Sequence, residues 1–236
     1  MKENILGFAV SNYNYEELIK NIFIDIENNE QHFLVNINPL IIMNYYQNEK
    51  YKQIFNQEKY QIPDGIGIVL ASKMKKKIIK NRITGIDLME KICETASKKG
   101  KSIYLCGAKP GVAIKASNVL IKKYHNLHIA GVCDGYITEE EMIKQINLVK
   151  PDILFVALGS PKQEEFIVKN QKNLQVKILM PVGGSFDVIS GNIKRASKKI
   201  QKLHLEWLYR MLKEPGRIKQ NIVLIKFILL VMFNKK

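Results

Sequence analysis

Two amides and a carboxylate, each set beside a proline, carry the first chemical signal in the chain. Asn36-Ile37-Asn38-Pro39 spaces its amides by two residues, which puts both on one side of an extended strand. Pro39 suits the first position of a helix, so Asn38 fits a helix cap as well as a substrate contact. Pro63-Asp64-Gly65-Ile66-Gly67 holds a carboxylate between a proline and a glycine at the mouth of an apolar segment. Asp64 there suits a turn cap, or an acid or base held rigidly for proton transfer.

Three glycine-bearing loops add a second kind of chemistry. They are Cys106-Gly107-Ala108-Lys109-Pro110-Gly111, Gly159-Ser160-Pro161-Lys162-Gln163-Glu164 and Val182-Gly183-Gly184-Ser185-Phe186-Asp187. Backbone amides where such a loop enters a helix can hold a phosphate. None is a P-loop or a full G-x-G-x-x-G, but three together point to a phosphate or nucleotide crevice. No Asp-x-Asp occurs, the pattern by which many nucleotide-sugar enzymes hold a divalent metal. Its nearest match, Asp25 and Glu27, is expected on the solvated face of a helix. Without a metal, a leaving diphosphate needs Arg, Lys or backbone amides. His32, His125, His128 and His204 form no recognisable ligand set. Cys93, Cys106 and Cys133 read as small core residues of a reducing compartment.

These loops need a scaffold that presents them together. Short apolar runs at 32–37, 102–106, 128–132, 152–157 and 177–180, with a shorter one at 60–62, read as buried parallel strands. Helical segments lie between them. Asn14-Tyr15-Glu16-Glu17 is a capping box ahead of Leu18, Ile22 and Ile26. Thr84 opens a helix carrying Leu88 and Ile92, and Thr138 opens one carrying Met142, Ile146 and Val149. The expected fold is α/β: a doubly wound, mostly parallel, Rossmann-like sheet whose ligands bind beyond the carboxyl ends of the strands. A first strand ending near Phe8 runs into Val10-Ser11-Asn12. That stretch lacks the glycine fingerprint a dinucleotide-dependent oxidoreductase needs.

The 236 residues divide, on this reading, into a catalytic domain at 1–193 and a helical appendage at 194–236. In the appendage, basic residues from Arg195 to Lys219 interleave with Leu203, Leu205, Trp207, Leu208 and Met211, ahead of an apolar run at 222–233. Twelve residues are too few for a bilayer, which takes about 20. The composition suits a helix lying in a membrane interface. It also suits packing on the core or a contact between copies, which leaves a homo-oligomer open. Thirty-seven Lys and Arg against 22 Asp and Glu give a net charge of +15, which draws polyanions. A basic nucleic-acid-binding α/β protein is the rival reading. It calls for base-stacking aromatics among the basic residues, whereas here the basic cluster adjoins an apolar tail. The first eight residues show no secretory leader, so a cytoplasmic protein is expected.

Taken in order, the motifs resemble a known family. They are the Pro63–Gly67 run, Arg82-Ile83-Thr84-Gly85-Ile86-Asp87, the three glycine loops, Gly191 with Arg195-Ala196, Glu206-Trp207-Leu208-Tyr209-Arg210 and Glu214-Pro215-Gly216-Arg217. Over nearly the whole chain they are similar to the WecG/TagA/CpsF glycosyltransferases. The resemblance implies an inverting, metal-independent transferase without a cofactor. It would move a sugar, typically N-acetylmannosamine from UDP-N-acetylmannosamine, onto undecaprenyl-diphosphate-linked N-acetylglucosamine. The products would feed teichoic acid, capsule or exopolysaccharide at the inner face of the cell membrane. The acceptor is thus a polyprenyl-diphosphate-linked sugar, the setting an anionic membrane surface, and no nucleic acid is bound.

The same resemblance assigns roles. Asp64 would be the general base, with Asn38, Arg82 and Gln163 beside it in catalysis. Asn38 and Gln163 would hold sugar groups. Arg82, Arg210 and Arg217 would neutralise the departing diphosphate. Asn36, Gly107, Gly111, Gly159, Gly183 and Asp187 would bind substrate or nucleotide. Asn36 stands where many members have Thr, which keeps hydrogen bonding and replaces the hydroxyl by an amide. Ala196-Ser197 replaces the usual Ala-Pro, which loosens the turn into the appendage.

Overall fold

In the computed structural model of the chain, residues 2–75, 79, 81–203, 205–206, 208–209 and 218–233 are described. The chain opens with a hairpin, β1 (Lys2–Ile5) and β2 (Phe8–Ser11), instead of the single strand expected there. Leu6 and Gly7 both turn through positive φ, which matches the two-residue loop that joins twisted antiparallel strands. Asn56 clamps the turn, accepting from Ala9 N at 2.7 Å and donating to Gly7 O at 2.8 Å. A leucine in a left-handed turn carries no turn signature, so the sequence concealed the hairpin.

The chain then alternates. It runs α1 (Tyr15–Glu27), β3 (His32–Ile37), α2 (Pro39–Tyr45), α3 (Glu49–Gln57), β4 (Tyr60–Pro63), α4 (Ile66–Met74), α5 (Gly85–Lys99) and β5 (Ser102–Gly107). There follow α6 (Val112–Lys123), β6 (His128–Cys133), α7 (Glu139–Val149), β7 (Ile153–Ala157), α8 (Lys162–Asn170), β8 (Ile178–Pro181), α9 (Ser185–Ile189), α10 (Lys198–Lys202) and α11 (Ile218–Phe233). The central sheet has six strands in the order β4-β3-β8-β7-β5-β6, every pairing parallel.

Both sheet faces are covered, which is why its strands read as unbroken apolar runs. Phe33, Val35 and Ile37 of β3 face a core built with α2, α3, α4, α7, α8 and the hairpin. Leu34 of the same strand faces the other core, with α1, α5 and α6. The caps form where the sequence marks them. Asn14 and Glu17 make a reciprocal capping box, and Thr84 and Thr138 accept from the third residue of their helices. Leu18, Ile22, Ile26, Leu88, Ile92, Met142 and Ile146 are buried as the helical period requires, whereas Val149 is exposed. The three cysteines are buried and unbridged.

One expectation fails near the amino end of β3. Asp25 is buried instead of solvated, accepting from Lys59 Nζ at 2.7 Å and from the Tyr60 hydroxyl at 2.5 Å. His32 joins Asp25 and Glu30 in a tight group, although the sequence showed no ligand set. Lys59 Nζ, 2.7 Å from Asp25 and 3.7 Å from Glu30, supplies that group with a cation.

Helix α11 packs on the molecule. Phe227 and Val231 are buried within the core that holds α2 and α4. On its other side Ile222, Ile225, Leu229 and Met232 are exposed. Among the described residues no helix is long and apolar enough to cross a membrane.

Candidate active site

The site is built where β3, β4, β7 and β8 end. The Asp64 amide donates to Ile37 O at 2.9 Å, extending the β3–β4 ladder by one rung and fixing the backbone of the Pro-Asp-Gly turn. Gly65, at φ 88°, then turns the chain into α4 and is its N-cap, so Asp64 does not cap this helix. Asn38 does cap its own: Oδ1 accepts from Ile41 N at 2.9 Å. With that oxygen committed, the amide nitrogen turns the other way and donates to Asp64 Oδ2 at 3.3 Å. Asn38 is therefore a cap and a partner of the carboxylate at once.

Gln163, at the start of α8, is held at both ends. Its Oε1 accepts from Gly183 N at 3.0 Å, and its Nε2 donates to Glu164 Oε1 at 2.7 Å. This ties the loop after β7 to the loop after β8 and leaves one amide hydrogen for a ligand. Asn36 ties β3 to β8, with Nδ2 donating to Pro181 O at 2.8 Å. Burial pushes the Glu164 carboxyl up to about 7, against the lowering influence of the Gln163 and Ser160 side chains.

Arg82 anchors a charged network that the sequence did not reveal. Its Nη2 lies 3.7 Å from Glu206 Oε2. Arg195 donates from Nε to Glu206 Oε1 at 3.1 Å and from Nη1 to Asp87 Oδ1 at 2.6 Å. Thr84 donates to Asp87 Oδ2 at 2.5 Å while it caps α5. Burial acts to raise Asp87, but Arg195, Thr84 and Arg82 outweigh it and hold the carboxyl below the usual range. The residues come from three of the sequence motifs, and that shared origin was the one signal available for the network.

Two cavities meet here. Asn36, Asn38, Asp64, Arg82 and Gln163 line a cavity of about 400 Å³, along with Thr84, Ser160, Glu164 and Glu206. Gly159 and Gly183 line it too, and they also line a larger crevice of about 1430 Å³ that contains Asp187, Tyr136 and Glu165. The loop after β5 reaches the larger crevice through Ala108 and Lys109. Gly107 and Gly111 of that loop line neither cavity. Gly107 is buried at φ 117°, where a Cβ would meet Ala157 O at 2.5 Å, so close packing of β5 on β7 accounts for it. Gly111 is exposed and caps α6. Arg210 and Arg217 lie outside the described residues.

The chain thus pairs a carboxylate–amide centre in a small cavity with a glycine-walled crevice at the carboxyl ends of a parallel sheet. Comparison with known proteins places the chain in a family. A sequence model of the glycosyl transferase WecG/TagA/CpsF family matches residues 3–236. The chain is 34% identical over 212 residues to a protein of Bacillus spizizenii, covering 89% of this chain and 82% of that one. It is 36% identical over 201 residues to one of Bacillus subtilis, covering 85% and 78%. It is also 36% identical over 225 residues to one of Staphylococcus aureus, covering 92% and 88%. All three carry the name N-acetylglucosaminyldiphosphoundecaprenol N-acetyl-beta-D-mannosaminyltransferase. The nucleic-acid reading has no support beside these matches, and the chain belongs to the WecG/TagA/CpsF family of glycosyl transferases.

Proposed function

We propose that the chain transfers N-acetylmannosamine from UDP-N-acetylmannosamine to undecaprenyl-diphosphate-linked N-acetylglucosamine, with inversion and without a metal. The observation that carries this is the Asn38–Asp64 pair, in a small cavity that shares its glycine wall with a larger crevice roomy enough for a nucleotide. The sugar occupies the small cavity and the nucleotide the crevice, with the diphosphate beside Gly159 and Gly183. Asp64 takes the proton of the attacking hydroxyl as an oxocarbenium-like transition state forms. Asn38 orients that carboxylate and Gln163 contacts the sugar through its remaining amide hydrogen. Arg82, with Arg210 and Arg217, balances the charge of the departing nucleoside diphosphate. Asp187 seats the nucleotide.

Residues 194–236 serve in this reading as an appendage that closes on the site and rests on the inner face of the membrane. Its support is the exposed stripe Ile222, Ile225, Leu229 and Met232, one face of α11, in a strongly basic chain. The test is incubation of the full chain with a panel of nucleotide sugars and lipid-linked N-acetylglucosamine in excess chelator. Transfer from UDP-N-acetylmannosamine supports the reading. Transfer from another donor alone refutes the sugar assignment, and strict dependence on magnesium or manganese refutes the metal-free mechanism.

A further inference from the structure

Glu164 has no part in the mechanism above, yet it lines the small cavity with Asp64 and Asn38 and is 2% exposed. Its Oε1 takes the Gln163 amide at 2.7 Å, and its Oε2 is buried with no hydrogen-bond partner among the described residues. The nearby Ser160 hydroxyl eases the carboxyl without closing a hydrogen bond on Oε2. Asn36 repeats the pattern in the lining of the same cavity. Its nitrogen is committed to Pro181 O, and its Oδ1 is buried and unpartnered among the described residues. Unpaired buried acceptors are rare, and two in one cavity wall call for a ligand that satisfies both. A diphosphate oxygen only accepts, so it cannot do so. A sugar ring brings hydroxyl and acetamido N–H donors.

We infer that Glu164 is a specificity-determining residue: its Oε1 fixes Gln163, while its Oε2, together with Asn36 Oδ1, accepts hydrogen bonds from hydroxyl or amide N–H groups of the bound sugar. The inference rests on the transferase reading. Burial raises the free carboxyl to about 7, and a sugar donor at Oε2 stabilises the ionised form when ligand enters.

The test compares wild type, Glu164→Gln and Glu164→Ala on two substrate series. One is UDP-N-acetylmannosamine and its analogues lacking one hydroxyl at a time or carrying O-acetyl for N-acetyl. The other is lipid-linked N-acetylglucosamine with the same deletions, sparing the attacking hydroxyl. In wild type one analogue should lose roughly 10- to 100-fold in kcat/KM, the loss expected when a hydrogen bond to a charged group disappears. In the variants that same loss should shrink to within about threefold. The series that responds identifies which sugar Glu164 touches. Thermal unfolding checks the fold, and Glu164→Gln, which keeps an oxygen for Gln163, decides alone if Glu164→Ala does not fold. Equal losses in wild type and variants, or no sensitive analogue, overturn the Glu164 assignment and leave the transferase reading standing. A wild-type chain that transfers no sugar overturns both.

Discussion

Asn38 is aimed by the bond it makes. Because Oδ1 caps α2, Nδ2 has to face Asp64. Asn38→Ser keeps a capping oxygen and removes the amide nitrogen that donates to Asp64, so stability should change by less than about 1 kcal/mol while kcat falls. Asn38→Asp also keeps the cap but sets a second carboxylate against Asp64. It should cost more activity and move the acid limb of the pH–rate profile upward, because like charges raise one of the pair. Unfolding curves and pH–rate profiles of the two variants check this. The sequence showed Asn38 as a cap or a substrate contact; that one amide both caps α2 and meets Asp64 depends on β4 lying beside β3, which no local pattern encodes. Glu164 gives a prediction on stability. Its carboxyl is raised from 4.5 to about 7, so folding favours the protonated form. That contribution is complete below about pH 4.5 and is lost as pH rises through 7, a change of roughly 3 kcal/mol. Glu164→Gln stays neutral throughout. Urea midpoints of wild type and variant should agree near pH 4.5 and separate by pH 8, with the variant the more stable; parallel curves contradict the burial account.

The elements show why some of this fold was readable and some was not. Parallel strands buried on both faces are apolar without interruption, so β3, β5, β7 and β8 stood out, and the half-buried edge strand β6 did so through its Ile129 and Val132. The caps of α1, α5 and α7 stood out because one side chain satisfies a local backbone group. Asp25 did not. It falls on the same helical face as Leu18 and Ile22, but its partners are Lys59, just ahead of β4, and Tyr60, the first residue of that strand, 34 and 35 residues further on. The glycines divide in the same way. From the sequence, Gly107 and Gly111 looked alike, as two phosphate-loop glycines. In the fold, Gly107 is pressed on Ala157 and Gly111 faces open space, though both have positive φ. Gly107→Ala should therefore cost about 2–4 kcal/mol, adding a clash to the backbone strain, against about 1–2 for Gly111→Ala. Equal urea midpoints for the two variants would show that the close approach is not what fixes Gly107.

At the scale of the whole molecule, α11 faces two ways. Phe227 and Val231 hold it to the body, so deleting the helix would uncover an apolar face as well as remove a membrane contact. The cleaner change is Ile225→Asp with Leu229→Asp, which alters only the exposed stripe. This double variant should fold normally, sediment far less with anionic liposomes and still glycosylate a short-chain soluble acceptor. Arg210→Ala should do the reverse, sedimenting like wild type while transfer falls. Unchanged sedimentation of the stripe variant contradicts the membrane role. The composition of this tail was legible; which face packs and which stays exposed was not, because that depends on the apolar surfaces of α2 and α4. Single-turnover transfer by Asp64→Asn tests most directly whether the small cavity transfers a sugar with Asp64 as base. With UDP-N-acetylmannosamine and lipid-linked N-acetylglucosamine, the variant should keep the wild-type unfolding midpoint to within about 1 kcal/mol and lose roughly 10²- to 10⁴-fold in rate. A folded Asp64→Asn that transfers at the wild-type rate would contradict Asp64 as the base.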